Sequence, residues 1–292
     1  MRKFILGTDW WTDCDDCVAL RLITRAHKAG EAELIGIVIN AAMEHSAASV
    51  DGFLALDGVF GIPLGIDADA TDFGRNPPYQ ARLARHAVRY RKNGDAYDAV
   101  KLYRRLLATS DTPVEIIEIG YMQAFAALLE SGPDEISAMS GIELVREKVT
   151  RVWAMAGKWD ADGESENNFA RNTRAIGGAI RFTRDCPVPI IFLGWEVGFD
   201  VLTGGTLAHT DHLWQALCDH GSPNGRSSWD PMLTHLALIG DAERAGYREV
   251  RGTARVDSAG RNYFERSDTG MHSYVVKLKP NSFYESSING LL

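Results

Sequence analysis

Cysteine is scarce in this chain, positive charge is outnumbered, and no apolar run is long. The 292 residues include only Cys14, Cys17, Cys186 and Cys218. Four cysteines are too few to staple a chain of this length, so a hydrophobic core must hold it, and a reducing cytoplasm is the expected setting. Lys and Arg total 31 against 39 Asp and Glu, a formal net charge of −8. Phosphate binding wants a basic face, so nucleic acid is not an expected partner. No stretch approaches the roughly 20 apolar residues of a membrane span, so no membrane partner is expected. Residues 1–6 read as the start of a strand rather than a signal peptide. No flexible linker, internal repeat or low-complexity tract divides the chain, and one domain over 1–292 is expected.

What is present is the composition of a globular protein, 45% hydrophobic and 24% charged. Short β-branched runs fall at residues 3–7, 33–39, 63–66, 114–119, 149–154 and 188–193. Helical stretches separate them, at 17–26, 47–60, 98–107, 122–129 and 173–184, with a further helix at 232–238. Strands alternating with helices predict an α/β fold with an open, mostly parallel, doubly wound sheet. Three short strands near 250–256, 261–265 and 272–278 predict a small C-terminal β element, and residues 281–292 a closing helix.

Ligands of such sheets bind at the carboxyl ends of the strands. The loop after the first strand carries Asp9, Asp13, Asp15 and Asp16, four carboxylates within eight residues. Their repulsion needs an offset, which a hard divalent cation with oxygen ligands supplies. Such a cation acidifies water, and a neighbouring Asp can take the proton, which is the equipment for hydrolysis. Helix capping accounts for part of the pattern: Asp13 reads as an N-cap, with Asp15 and Asp16 in a first turn that favours negative charge. It does not account for Asp9, which lies at the strand end. Cys14-Asp-Asp-Cys17 fits C-x-x-C, but zinc would need a second pair, and flanking carboxylates oppose a redox-active thiolate. An Asp-x-Asp phosphatase would need an Asp where Trp11 stands.

The opening resembles the inosine-uridine preferring nucleoside hydrolase family, whose signature is Asp-x-Asp-Pro-Gly-x-Asp-Asp. Gly7 stands for the first Asp, Asp9 for the second and Asp15-Asp16 for the last pair, with Trp10-Trp11 in place of Pro-Gly and two extra residues between. Glu115 to Ala124 is similar to the strand ending in Leu-Gly-Pro-Leu-Thr-Asn, with Gln123 at the Thr position. Residues 152–157 resemble the Ile-Val-Ile-Met-Gly-Gly strand, Glu166-Asn167-Asn168 the Glu-Phe-Asn segment, and Trp229-Asp230-Pro231 the His-Asp-Pro segment. The resemblance implies Ca²⁺ on Asp9, Asp16, Asp230 and the carbonyl of Gln123. It implies Asp9 as the base that activates water. Asp15, Glu166 and Asn168 would hold ribose hydroxyls, and Trp229 would contact the substrate. A small-molecule riboside would be the substrate, and a homodimer or homotetramer the assembly.

Departures cluster at the leaving-group end. Trp229 replaces the His that protonates the departing base, and an indole N–H is a donor with no acid to give. Asn172 replaces an Asp, and residues 72–85 carry Arg75, Arg82 and Arg85 instead of a His-Gly pattern. Trp10, Trp11, Trp159 and Trp195 are candidates for a stacking pocket. The expected activity is N-glycosidic hydrolysis of a ribonucleoside or related riboside. Its rivals are hydrolysis of a non-nucleoside riboside and a non-catalytic, calcium-dependent sugar-binding protein. Distant donors such as Arg75, Arg82 or His45 could supply a proton if they reach the site.

Overall fold

The structure, a computed structural model, describes residues 1–11 and 13–292. The chain begins with β1 (Arg2–Thr8), α1 (Asp15–Lys28), β2 (Ala32–Ile39), α2 (Ser46–Leu56) and β3 (Leu64–Ile66). A short α3 (Gln80–Leu83) leads to β4 (Tyr97–Asp98) and α4 (Ala99–Thr109). Next come β5 (Val114–Glu118), α5 (Gln123–Glu130), α6 (Gly141–Lys148) and β6 (Val149–Met155). Then β7 (Glu164–Ser165), α7 (Asn167–Ala170) and α8 (Thr173–Asp185) precede β8 (Ile190–Leu193) and α9 (Trp195–Gly198). The last part runs β9 (Leu202–Thr203), α10 (His212–His220), β10 (Arg226–Ser227) and α11 (Trp229–Ile239). It ends with β11 (Tyr247–Val256), β12 (Arg261–Arg266), β13 (His272–Lys277) and α12 (Asn281–Asn289).

Eleven strands form one sheet in the order β4-β3-β2-β1-β5-β6-β8-β13-β11-β12-β7. From β4 to β13 every pairing is parallel; β11, β12 and β7 add on antiparallel. The C-terminal strands therefore continue the main sheet, because β13 pairs beside β8. The small separate sheet is β9 with β10. In β1, Phe4 and Leu6 enter one core cluster and Ile5 the other, which is the alternation of a strand buried on both faces. Among the described residues, no helix is long and apolar enough to cross a membrane.

The order reverses at β1. The chain steps outward through β2 and β3 on one side, then returns to β5 and β6 on the other. A crevice opens at the carboxyl ends on either side of such a switch point, here where β1 and β5 end. Gly120, just past β5, keeps that crevice tight: a Cβ there would lie 2.3 Å from the Asp9 backbone nitrogen. Helix α11 packs along α1 and brings its own first turn to the same end.

Candidate active site at the carboxyl end of the sheet

Asp9 leaves β1 with its Oδ1 accepting the Trp11 N–H at 2.9 Å. Trp10, between them, is held at φ 49°, a left-handed conformation uncommon for a bulky residue. Packing compensates: its ring is fully buried edge-on to Phe53 and Tyr79, and its Nε1 donates to Ser49 at 2.8 Å. Asp15 and Asp16 then open α1. Asp16 Oδ1 accepts the Thr8 hydroxyl and the Trp10 N–H. Asp230 sits inside the first turn of α11, whose N-cap is Ser228, so it is not a cap. Its N–H donates to Asp15 Oδ2 at 3.1 Å, so the first turns of α1 and α11 face each other.

A cavity of about 160 Å³ results, lined by Asp9, Asp13, Asp15, Asp16, Asp230 and Glu166. Asn167, Asn168, Ile119 and Met155 line it as well, with the indoles of Trp11, Trp195 and Trp229. The lining contains no Lys, Arg or His among the described residues. Asp9, Asp15, Asp16 and Asp230 are each at most 5% exposed. Burial, reinforced by mutual repulsion, pushes all four carboxyls well above the ordinary carboxylate range. Asp15, Asp16 and Asp230 bring one oxygen each within 4.8 Å of one another, a spacing that can hold a metal ion. Buried carboxylates with no cationic side chain among them suit a hard divalent cation, so the donor set fits calcium.

Glu166 and Asn168, expected at the ribose, line the same cavity. Glu166 caps α7, with Oε1 accepting Asn168 N–H at 2.8 Å and Oε2 accepting Gly157 N–H at 2.9 Å. Burial pushes its carboxyl up to about 7, against the pull of these backbone N–H groups. Asn168 anchors through Nδ2 to the Met155 carbonyl at 2.8 Å, leaving its Oδ1 to accept.

One expectation is corrected, and other residues take places that the sequence left open. Asp13 is not the N-cap of α1: the helix starts after Cys14, whose side chain makes no cap bond. Asp13 instead accepts Arg226 Nε at 2.8 Å, an ion pair no local pattern announces. Gln123 is not among the residues lining the cavity. It begins α5, and its amide bonds the Asn40 carbonyl and Asp67 at 3.2 Å; Ile119, just past β5, lines the cavity. Trp10 and Trp159 are core residues, Trp159 enclosed by Phe192, Phe264 and Tyr274. Asn172 caps α8 by accepting Ala175 N–H at 2.9 Å.

The cysteines are free, and burial first, then the neighbouring aspartates, push the Cys14 and Cys17 thiols up, away from redox reactivity. A larger cavity of about 880 Å³ lies at the other end of α1. Its buried charges answer one another, Arg21 bridging Asp57 at 2.8 Å and Asp211 at 3.0 Å.

No family model and no curated protein matches the chain. Solved structures do. The inosine-uridine preferring nucleoside hydrolase from Bacillus anthracis aligns over 100% of both chains at 16% identity, TM-score 0.67. This chain has the nucleoside hydrolase fold. The purine-preferring ribonucleoside hydrolase from Gardnerella vaginalis aligns over 99% of both chains at 17% identity, TM-score 0.67. The type III effector protein XopQ, solved in complex with adenosine diphosphate ribose, aligns at 16% identity and TM-score 0.69. That alignment covers 99% of this chain and 93% of the effector. On this nucleoside hydrolase fold, the acidic cavity occupies the switch point between β1 and β5.

Proposed function

We propose that the chain hydrolyses the N-glycosidic bond of a small riboside, with calcium held by Asp9, Asp16 and Asp230. The observation that carries this reading is the convergence of four buried carboxylates in a cavity with no cationic side chain among the described residues. Glu166 and Asn168 offer acceptors for sugar hydroxyls in the same cavity. Similarity in fold to two nucleoside hydrolases and to a protein crystallised with a ribose-containing ligand supports a ribosylated substrate.

A bound divalent cation would offset the carboxylates' repulsion and make a water more acidic. The rest falls to the chain. Asp9 has Oδ1 tied to the Trp11 N–H, which leaves Oδ2 to take the proton of a water attacking the anomeric carbon. Asp15, Glu166 and Asn168 orient the ribose. The surrounding negative charge favours the oxocarbenium character of the transition state. Direct attack by water gives inversion, with no covalent intermediate.

The test is release of free ribose from p-nitrophenyl riboside by the calcium-loaded protein. Saturable binding of the riboside without any ribose release would favour the non-catalytic sugar-binding alternative.

A further inference from the structure

We infer that the cavity selects a riboside with a cationic aglycone: a pyridinium whose ring nitrogen is bonded to C1′ and carries the positive charge. The inference rests on the riboside reading above and specifies its leaving group.

Proton supply is the first ground. A neutral purine or pyrimidine leaves poorly unless an acid protonates it. Trp229 cannot act as that acid, and its indole N–H is committed, donating to the Trp195 carbonyl at 2.7 Å. Other donors are held elsewhere. Arg226 is spent on Asp13, and Arg82 on Asp219 at 2.6 Å. Arg75 meets the site only through its carbonyl, which accepts Trp11 Nε1. Neither Arg75, Arg82 nor His45 lines the cavity. The titratable groups that do line it are carboxyls, among the described residues. Asp9, Asp15, Asp16 and Asp230 are assigned to calcium, water and sugar. Glu166 has both oxygens accepting backbone N–H groups, from Asn168 at 2.8 Å and Gly157 at 2.9 Å, so neither oxygen is free to present a proton.

A pyridinium needs no acid. Water oxygen bonds to C1′ and the C1′–N bond breaks. The bonding pair stays on the ring nitrogen and cancels its positive charge. The water proton passes to Asp9. The products are ribose and a neutral pyridine.

Charge and shape agree with this. Among the described residues six carboxylates line the cavity, and of these only Asp13 has an arginine partner. They attract a cationic substrate, and as the bond breaks the positive charge passes from the ring nitrogen to the sugar, where the same carboxylates still face it. Trp11, Trp195 and Trp229 line the same space, Trp195 and Trp229 lying nearly parallel with centroids 6.3 Å apart. Arg171 and Arg226 already lie 4.9 Å and 5.4 Å from the Trp11 and Trp229 ring centroids, and the remaining indole surface accepts a flat ring beside it.

The experiment compares three substrates on one calcium-loaded preparation: p-nitrophenyl riboside, nicotinamide riboside as the pyridinium probe, and inosine. A fourth probe, the reduced and uncharged dihydropyridine riboside, competes for binding. Nicotinamide riboside should exceed inosine in kcat/KM by about a hundredfold or more. The dihydropyridine should bind at least about threefold more weakly than the pyridinium. Trp229→His should narrow the gap by raising inosine turnover, provided its circular dichroism matches the parent. Cleavage of the nitrophenyl riboside with inosine as good a substrate as the pyridinium would overturn the inference and leave the riboside reading standing. Equal binding of charged and uncharged pyridines would overturn the charge selection. If neither the nitrophenyl nor the pyridinium riboside is cleaved, the riboside reading itself falls, and the inference with it.

Discussion

Arg226 grips Asp13 with two nitrogens, Nε to Oδ1 at 2.8 Å and Nη2 to Oδ2 at 2.5 Å, across 213 residues of sequence. Its guanidinium also lies 5.4 Å from the Trp229 ring centroid. One side chain thus ties the acidic loop after β1 to the N-terminus of α11, the two segments that form the cavity. Replacing Arg226 with Ala should lower stability by about 1–3 kcal/mol, because a half-buried carboxylate loses its bidentate partner. Urea midpoints for Arg226→Ala, Asp13→Asn and the double variant measure this. Additive single effects would mean the pair does not couple.

Asp9, the proposed base, is buried among carboxyls that repel it, so its loss should have opposite effects on rate and stability. Asp9→Asn should reduce riboside turnover by about a hundredfold or more. The same change removes one buried charge from a repelling cluster, so the calcium-free protein should melt higher than the parent. Turnover within a few fold of the parent would remove Asp9 from the role of base.

Calcium should act as a structural ligand. At about a hundredfold excess over its Kd, a ligand that binds only the folded state adds about 2.7 kcal/mol. Thermal melts in calcium should therefore lie above melts in EGTA. Asp16→Asn and Asp230→Asn should each shrink that gap. An unchanged melting temperature across calcium concentrations would contradict a cation on these residues.

Glu118 offers a pH test away from the cavity. Burial pushes its carboxyl up from 4.5 to about 8, and Oε1 accepts the Tyr103 hydroxyl. The folded chain therefore keeps a proton that the unfolded chain releases above about 4.5. The associated stability is fully present below pH 4.5 and is lost as pH rises towards 8. Glu118→Gln cannot ionise, so its urea midpoint should gain on the parent's from pH 5 to pH 8. A constant difference across that range would show that Glu118 does not hold the proton.

The alternation of apolar runs and helices was legible in the sequence because parallel strands buried on both faces must be continuously apolar. The acidic loop was legible too, since Asp9, Asp15 and Asp16 follow one strand within a few residues. Helices α6 and α10 went unanticipated although local signals existed. Ser140 with Glu143 forms a capping box, and Asp211 with the left-handed Gly221 brackets α10. Tertiary structure alone decided which tryptophans face the cavity, because Trp10 and Trp11 are adjacent and only backbone direction separates core from lining. It decided that Asp13 answers Arg226 rather than a helix end, and that the Gln123 amide bonds the Asn40 carbonyl and Asp67. It also decided that Glu118 fills the space over Gly7, where an added Cβ would lie 2.0 Å from Oε2. A motif specifies which groups are near in the chain. Pairing across the sheet, with α11 packed on α1, specifies which of them meet in space.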